Sequence, residues 1–129
     1  MTLLLDTHVL LWLDAEPERL SREASEAIDS ADELAVASIT WFEAAWLATH
    51  DRIITAIPLG TWLTDLAAEV RSVPMTPAIA ATAVSLRTSF PADPADRVIY
   101  ATAIEHGWRI VTKDQRMRRY RQPRPMTIW

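Results

Sequence analysis

Five short apolar runs punctuate this chain, and between them apolar and polar positions recur at the three-to-four spacing of helices. Residues 2–5 form the first run, which stops at Asp6, and residues 8–14 continue in helical style. Residues 34–37, 73–75, 109–112 and 126–129 read as four further short strands. Helices are predicted over 22–31 with Ser21 as cap, over about 39–50 opened by Ser38 or Thr40, and over 62–71 capped by Thr61. Two more are predicted over 77–88, opened by Pro77, and from Pro94, with Asp93 as its cap, to Gly107. A short arginine-rich turn or helix starts at Asp114. Strands that alternate with helices predict an α/β fold, a three-layer α/β/α sandwich around a parallel five-stranded sheet covered on both faces.

Composition adds limits. The 129 residues, half of them hydrophobic, suffice for one core, and two glycines with no low-complexity stretch leave no flexible linker, so one domain over 1–129 is expected. The absence of cysteine excludes disulfides, thiolate metal sites and cysteine nucleophiles, and fits a reducing compartment, with the cytoplasm as the expected location. The apolar start is too short for a signal peptide, and no stretch approaches the roughly 20 apolar residues of a membrane span. The net charge of −4 conceals an asymmetry. Residues 1–108 hold six basic and sixteen acidic side chains, whereas residues 109–129 hold seven basic ones and a single acid, Asp114. A local arginine cluster binds phosphates whatever the overall sign of the protein.

Ligands of open parallel sheets bind beyond the carboxyl ends of the strands, so acids placed there carry the most information. Asp6 and Asp114 both follow predicted strands. Asp6 serves equally as the N-cap of the next helix. Glu43 shares a predicted helix face with Ile39, Phe42, Trp46 and His50, the apolar side, and a buried carboxylate needs a metal, donors, a proton or a cation such as Arg52 or Arg97. Asp96 falls at the third position of its helix, on one face with Ile99, Tyr100 and Ala103, where the helix dipole already favours its charge. Gathered at one sheet edge, these four acids would raise one another's pKa unless a cation neutralised them. An all-oxygen set suits Mg²⁺ or Mn²⁺ rather than zinc, and water activated there can attack a phosphodiester. Thr7, Ser38 and Thr112 adjoin the acids and could orient them, Ser38 alternatively acting as a helix cap. Lys113, Arg116, Arg118, Arg119, Arg121 and Arg124 flank Asp114 and read either as a backbone-binding patch, with Arg116, Arg118 and Arg119 foremost, or as a solvated face. His8, His50 and His106 lack metal-ligand spacing, and Trp12, Trp41, Trp46 and Trp62 read as core or interface residues. No phosphate loop and no GxSxG elbow occurs.

The strings LLLDTHVLLW, SITWFEAAW, FPADPADRVIYATA and IVTKD together resemble the PIN-domain family, in particular the VapC-like toxins, over essentially the whole chain. Asp6, Glu43, Asp96 and Asp114 match that family's acids in order and spacing, with Asp93 as an extra candidate. The resemblance implies an endoribonuclease dependent on Mg²⁺ or Mn²⁺, commonly a homodimer, held inactive by a small antitoxin protein that lays a segment over helices near the acids. The tryptophan-bearing helices are candidates for that groove.

Two other classes fit less well. A phosphoacceptor signalling domain of the receiver type also pairs a doubly wound sheet with an acidic Mg²⁺ pocket and a late lysine, as in the TKD string, but needs paired acids after its first strand. Dehalogenase-type phosphatases need an acid two places after the first, where His8 stands. A catalytically idle binding partner on the same fold would have no use for the intact acids.

Overall fold

The computed structural model describes residues 1–50 and 55–129. Strand β1 (Thr2–Leu5) leads into helix α1 (Thr7–Ala15), a tight helical turn over Pro17–Arg19 and helix α2 (Arg22–Ser30), capped by the Ser21 hydroxyl. Strand β2 (Glu33–Ala37), helices α3 (Ile39–Thr49) and α4 (Leu59–Ala68), strand β3 (Arg71–Val73) and helix α5 (Pro77–Ser85) follow. Helix α6 (Pro94–His106), strand β4 (Arg109–Val111), helix α7 (Gln115–Arg119) and strand β5 (Thr127–Ile128) complete the order. Helix α6 ends on Gly107 at φ 70°, a left-handed turn that glycine adopts without a Cβ penalty.

The strands form one parallel sheet in the order β3-β2-β1-β4-β5, with Leu3 opposite Leu34 and Leu5 opposite Val111. Alternation along β1 sends Leu4 to one face, into a core with Ala35, Ile110, Ile99, Tyr100 and Phe90, and sends Leu3 and Leu5 to the other, against Val9, Leu10, Ala24 and Ile28. Helix α6 thus covers one face and α1 with α2 the other, which makes the three layers.

Several boundaries differ from the sequence expectation. Strand β3 lies two residues earlier than 73–75, because its register against β2 pairs Ala37 with Val73 and Pro74 has no N–H to extend the ladder. Helix α4 starts at Leu59, with the Trp62 N–H donating to the Pro58 carbonyl, so Thr61 is inside the first turn and caps nothing. Helix α5 stops at Ser85 rather than 88. The Arg97 guanidinium binds the carbonyls of Ala83, Leu86, Arg87, Phe90 and Pro91 at 3.0 to 3.4 Å, turning the chain out of the helix.

Helix α3 is rotated from the expected orientation. Phe42 and Trp46 are 65% and 53% exposed, while Thr40 and Ala44 are fully buried. A helix apolar on nearly every side has no unique inner face, and small residues win the side that packs closely against α1 and α6. Trp62 is buried and the Trp41 indole N–H donates to the Ser72 hydroxyl, so Trp46 is the tryptophan of α3 that leaves the core.

Candidate functional site

The direction in which strands are added reverses about β1 and β4, since β2 and β3 extend from one side of that pair and β5 from the other. A doubly wound sheet opens its crevice at such a point, past the carboxyl ends of the two strands. Asp6 follows β1 and Asp114 follows β4, so adjacent central strands deliver both acids to that crevice. Asp6 is buried at 7% exposure. Its Oδ2 accepts from the Thr112 hydroxyl at 2.7 Å and its Oδ1 from the Thr7 N–H at 2.8 Å, while its own N–H donates to the Val111 carbonyl at 3.1 Å.

Glu43 arrives from α3, one turn beyond the end of β2. The Thr7 hydroxyl donates to Glu43 Oε1 at 2.6 Å, and having spent its proton it accepts from the Thr40 hydroxyl at 2.9 Å. Thr40 is a site residue that its sequence context does not signal, since there it is legible only as a possible start of α3. The Ser38 side chain neither caps α3 nor bonds a carboxylate among the described residues, and its N–H is taken by the Val73 carbonyl. Neither does Glu43 pair with Arg97, whose donors all go to backbone carbonyls. Arg52, the other arginine considered, lies outside the described residues, as does much of the loop expected after α3.

Helix α6 contributes two acids at its start. Asp93 is the cap, with Oδ2 accepting from the Asp96 N–H at 3.0 Å, and the Asp96 side chain is 15% exposed beside fully buried Ile99 and Tyr100. Asp114 caps α7 by accepting from the Arg116 N–H at 2.8 Å, and its own N–H donates to Thr112 Oγ1 at 3.0 Å. Thr112 therefore ties Asp6 to Asp114, and Thr7 ties Asp6 to Glu43.

Asp6, Glu43, Asp93, Asp96 and Asp114 line one cleft of about 590 Å³, whose remaining wall is His8, Trp12, Lys113, Gln115 and Arg116. His8, given no role from sequence, stands on that wall. The Arg116 guanidinium is 3.8 Å from Asp96 and 3.7 Å from Asp114, but at 65% exposure it offsets little of their charge. Burial, and then the charges of Asp6, Asp93, Asp114 and Glu43, push the Asp96 carboxyl up to about 7. Burial also raises Asp6, against the hydrogen bonds from Thr112 and Thr7, and raises Glu43.

Among the described residues no three Asp, Glu or His side chains close into a cage around an ion. The acids share a cleft but four of the five turn to a local donor: Asp93 and Asp114 cap helices, Glu43 accepts from Thr7, and Asp6 accepts from Thr112, while Asp96 has, among the described residues, only the Arg116 guanidinium at 3.8 Å. Such a set fits a hard cation that keeps most of its waters and takes one or two carboxylates, which is the habit of Mg²⁺. The donors are all oxygen, and a divalent ion would offset both the burial and the mutual repulsion that raise Asp96.

Comparison with known proteins shows the family. The PIN domain family matches residues 3–123. A protein of Mycobacterium tuberculosis named Ribonuclease VapC22 is 65% identical over 128 residues, which cover 99% of this chain and 98% of that protein. Among solved structures, a toxin–antitoxin complex from Klebsiella pneumoniae aligns with a TM-score of 0.69 at 22% identity, over 98% of this chain and 95% of that one. VapBC2 from Rickettsia felis, bound to a DNA fragment from its promoter, aligns with a TM-score of 0.72 at 14% identity, over 98% and 97%. The chain belongs to the PIN domain family, among its VapC-like members.

Proposed function

We propose that this protein is an endoribonuclease that hydrolyses RNA phosphodiester bonds with Mg²⁺, or with Mn²⁺ in its place, and that it is the toxin of a toxin–antitoxin pair. The observation that carries the reading is the cleft itself, where five carboxylates meet at the sheet's switch point and, among the described residues, Lys113, the exposed Arg116 and His8 are the basic side chains on its wall. The 65% identical relative named a ribonuclease supports the reaction class.

A divalent cation bound there would neutralise the acids, acidify water and stabilise the charge that gathers on the phosphate in an in-line displacement. Asp6 and Asp96 are the residues that would hold it, Asp6 because two donors fix its orientation, Asp96 because it is largely buried and faces four other carboxylates. Glu43 uses Oε1 for Thr7, leaving Oε2 without a partner among the described residues and free to take a proton from attacking water. Asp114 completes the negative wall, and Arg116 can swing from Asp96 and Asp114 to a phosphate oxygen with little loss. Thr7 and Thr112 hold the carboxylates in place. Ser38 takes no part.

Purified protein is expected to cleave total RNA when Mg²⁺ is supplied and to stop when a chelator is added. Cleavage that persists in chelator would exclude the metal-dependent reading. Thr7→Val should lower the initial rate at saturating Mg²⁺ by about 10- to 100-fold, because Glu43 and Thr40 lose their shared hydroxyl, and Thr7→Ser should recover most of it. Equal rates for Thr7→Val and wild type would remove Thr7 from the account.

Inhibition by an antitoxin is supported by a trough of about 930 Å³ that shares His8 and Trp12 with the acid cleft and is lined by Leu11, Leu47, Ile57 and Trp62. A protein segment seated there would reach the acids. Exposed Phe42 and Trp46 on α3 give an apolar patch for a second copy in a homodimer. Among the described residues no helix is long and apolar enough to cross a membrane. We propose a cytoplasmic location, which an RNA substrate would require and a cysteine-free sequence suits.

A further inference from the structure

The arginines after β4 read as one patch in the sequence, but α7 divides them. Arg116 faces the acid cleft, whereas Arg118, Arg119 and Arg121 line a second depression of about 550 Å³ bounded by Thr127 and Trp129 at the sheet edge. Gln115 borders both depressions. Helical spacing explains the division, since residues 115, 118 and 119 share one side of the helix and the Arg119 guanidinium reaches Gln115 Oε1 at 3.4 Å.

The second depression carries unbalanced positive charge. Among the described residues Arg118, Arg119 and Arg121 form no ion pair, and the one acidic side chain on the wall is Glu23. Three exposed guanidiniums around a polar hollow attract an oxyanion, and a phosphodiester presents two non-bridging oxygens that the planar arginine fork can bind side by side.

We propose that this depression is a separate phosphate subsite that holds the RNA backbone beyond the bond being cut, with the strand crossing α7 past Gln115. The proposal rests on the reading of RNA as substrate. A helix about 10 Å across separates the subsite from the acid cleft, so a strand occupying both must run some distance past the scissile phosphate. The enzyme would therefore favour longer RNA, on account of contacts that carry no sequence information.

The test uses fluorescence anisotropy with labelled single-stranded RNA, one oligonucleotide long and one too short to span both depressions, in chelator to prevent cleavage. Wild type should bind the long RNA more tightly. Arg118→Gln/Arg119→Gln/Arg121→Gln should bind it on the order of tenfold more weakly, and the slope of log affinity against log salt should fall by about two, at roughly 0.7 per lost contact on a single strand. Arg121→Gln alone should lower that slope by about 0.7, which gives a reading even if the triple variant folds poorly. Unchanged affinity and slope in both variants would overturn the subsite. Loss of polyglutamate binding with RNA binding intact would overturn it as well, making the hollow a site for acidic protein. If wild type fails to cleave RNA with Mg²⁺ while the slopes fall as stated, the nuclease reading is lost and the subsite stands. If cleavage is Mg²⁺-dependent but the slopes do not move, the reverse holds.

Discussion

Asp96→Asn is expected to reduce RNA cleavage on the order of a thousandfold while leaving the metal-free protein more stable than wild type at neutral pH. A thousandfold loss corresponds to about 4 kcal/mol of transition-state stabilisation, within what one lost metal-binding carboxylate can remove. The stability change has the opposite sign because Asp96 is a charged group in a cleft of like charges. Its folded-state value of about 7 lies above its ordinary 3.8. Between those values the native state holds a proton that the unfolded chain has released, so stability falls as pH rises from about 4 to 7 and then levels off. The cost at pH 7.5 approaches about 4 kcal/mol as an upper bound, and asparagine removes it. Thermal melts in chelator should show wild type losing stability from pH 5 to 7.5 and the variant losing less. Added Mg²⁺ should raise the wild-type melting temperature more than that of the variant. A variant that cleaves as wild type does, or that melts lower at pH 7.5 in chelator, would remove Asp96 from the centre of the site.

Arg97→Met should produce the largest loss of stability, about 3–5 kcal/mol, with a fall in melting temperature of roughly 10 °C or more. A guanidinium has five N–H donors, and in Arg97 all five are used on the carbonyls of Ala83, Leu86, Arg87, Phe90 and Pro91. These close the end of α5 and shape the turn into α6. Methionine fills much of the volume but leaves the carbonyls to find water or remain unpaired. Arg97→Lys keeps the charge and lacks the planar fork, so an intermediate loss is expected. Cleavage should also fall in Arg97→Met below its melting temperature, since the start of α6 carries Asp93 and Asp96. A melt within about one degree of wild type would show that the five bonds contribute little net stability.

Short-range patterns carried much of the fold. The apolar run 2–5 that stops at Asp6, the Asp93–Pro94 opening of α6 and Gly107 at its end each encode a boundary through local chemistry, and each lies where the pattern puts it. Asp6, Asp96 and Asp114 were legible one at a time because each follows a strand or opens a helix, whereas Glu43 was legible only as an acid on an apolar helix face, two of whose members, Phe42 and Trp46, are exposed. What failed was the choice of face on α3, where Phe42 and Trp46 look as buriable as Thr40 and Ala44 do, and the role of Arg97, whose five acceptors depend on how residues 83–91 fold back on it.

The chain alone determined which residues can form strands and helices and which carboxylates stand at their ends, because those outcomes depend on neighbours a few positions away. Tertiary structure alone decided that β1 lies beside β4, that Thr7 joins Glu43 to Asp6, that Thr40 rather than Ser38 supports it, and that α7 parts the arginines between two hollows. Those outcomes follow from which surfaces pack together, and packing joins residues as distant as Asp6 and Thr112, a separation no local spacing encodes.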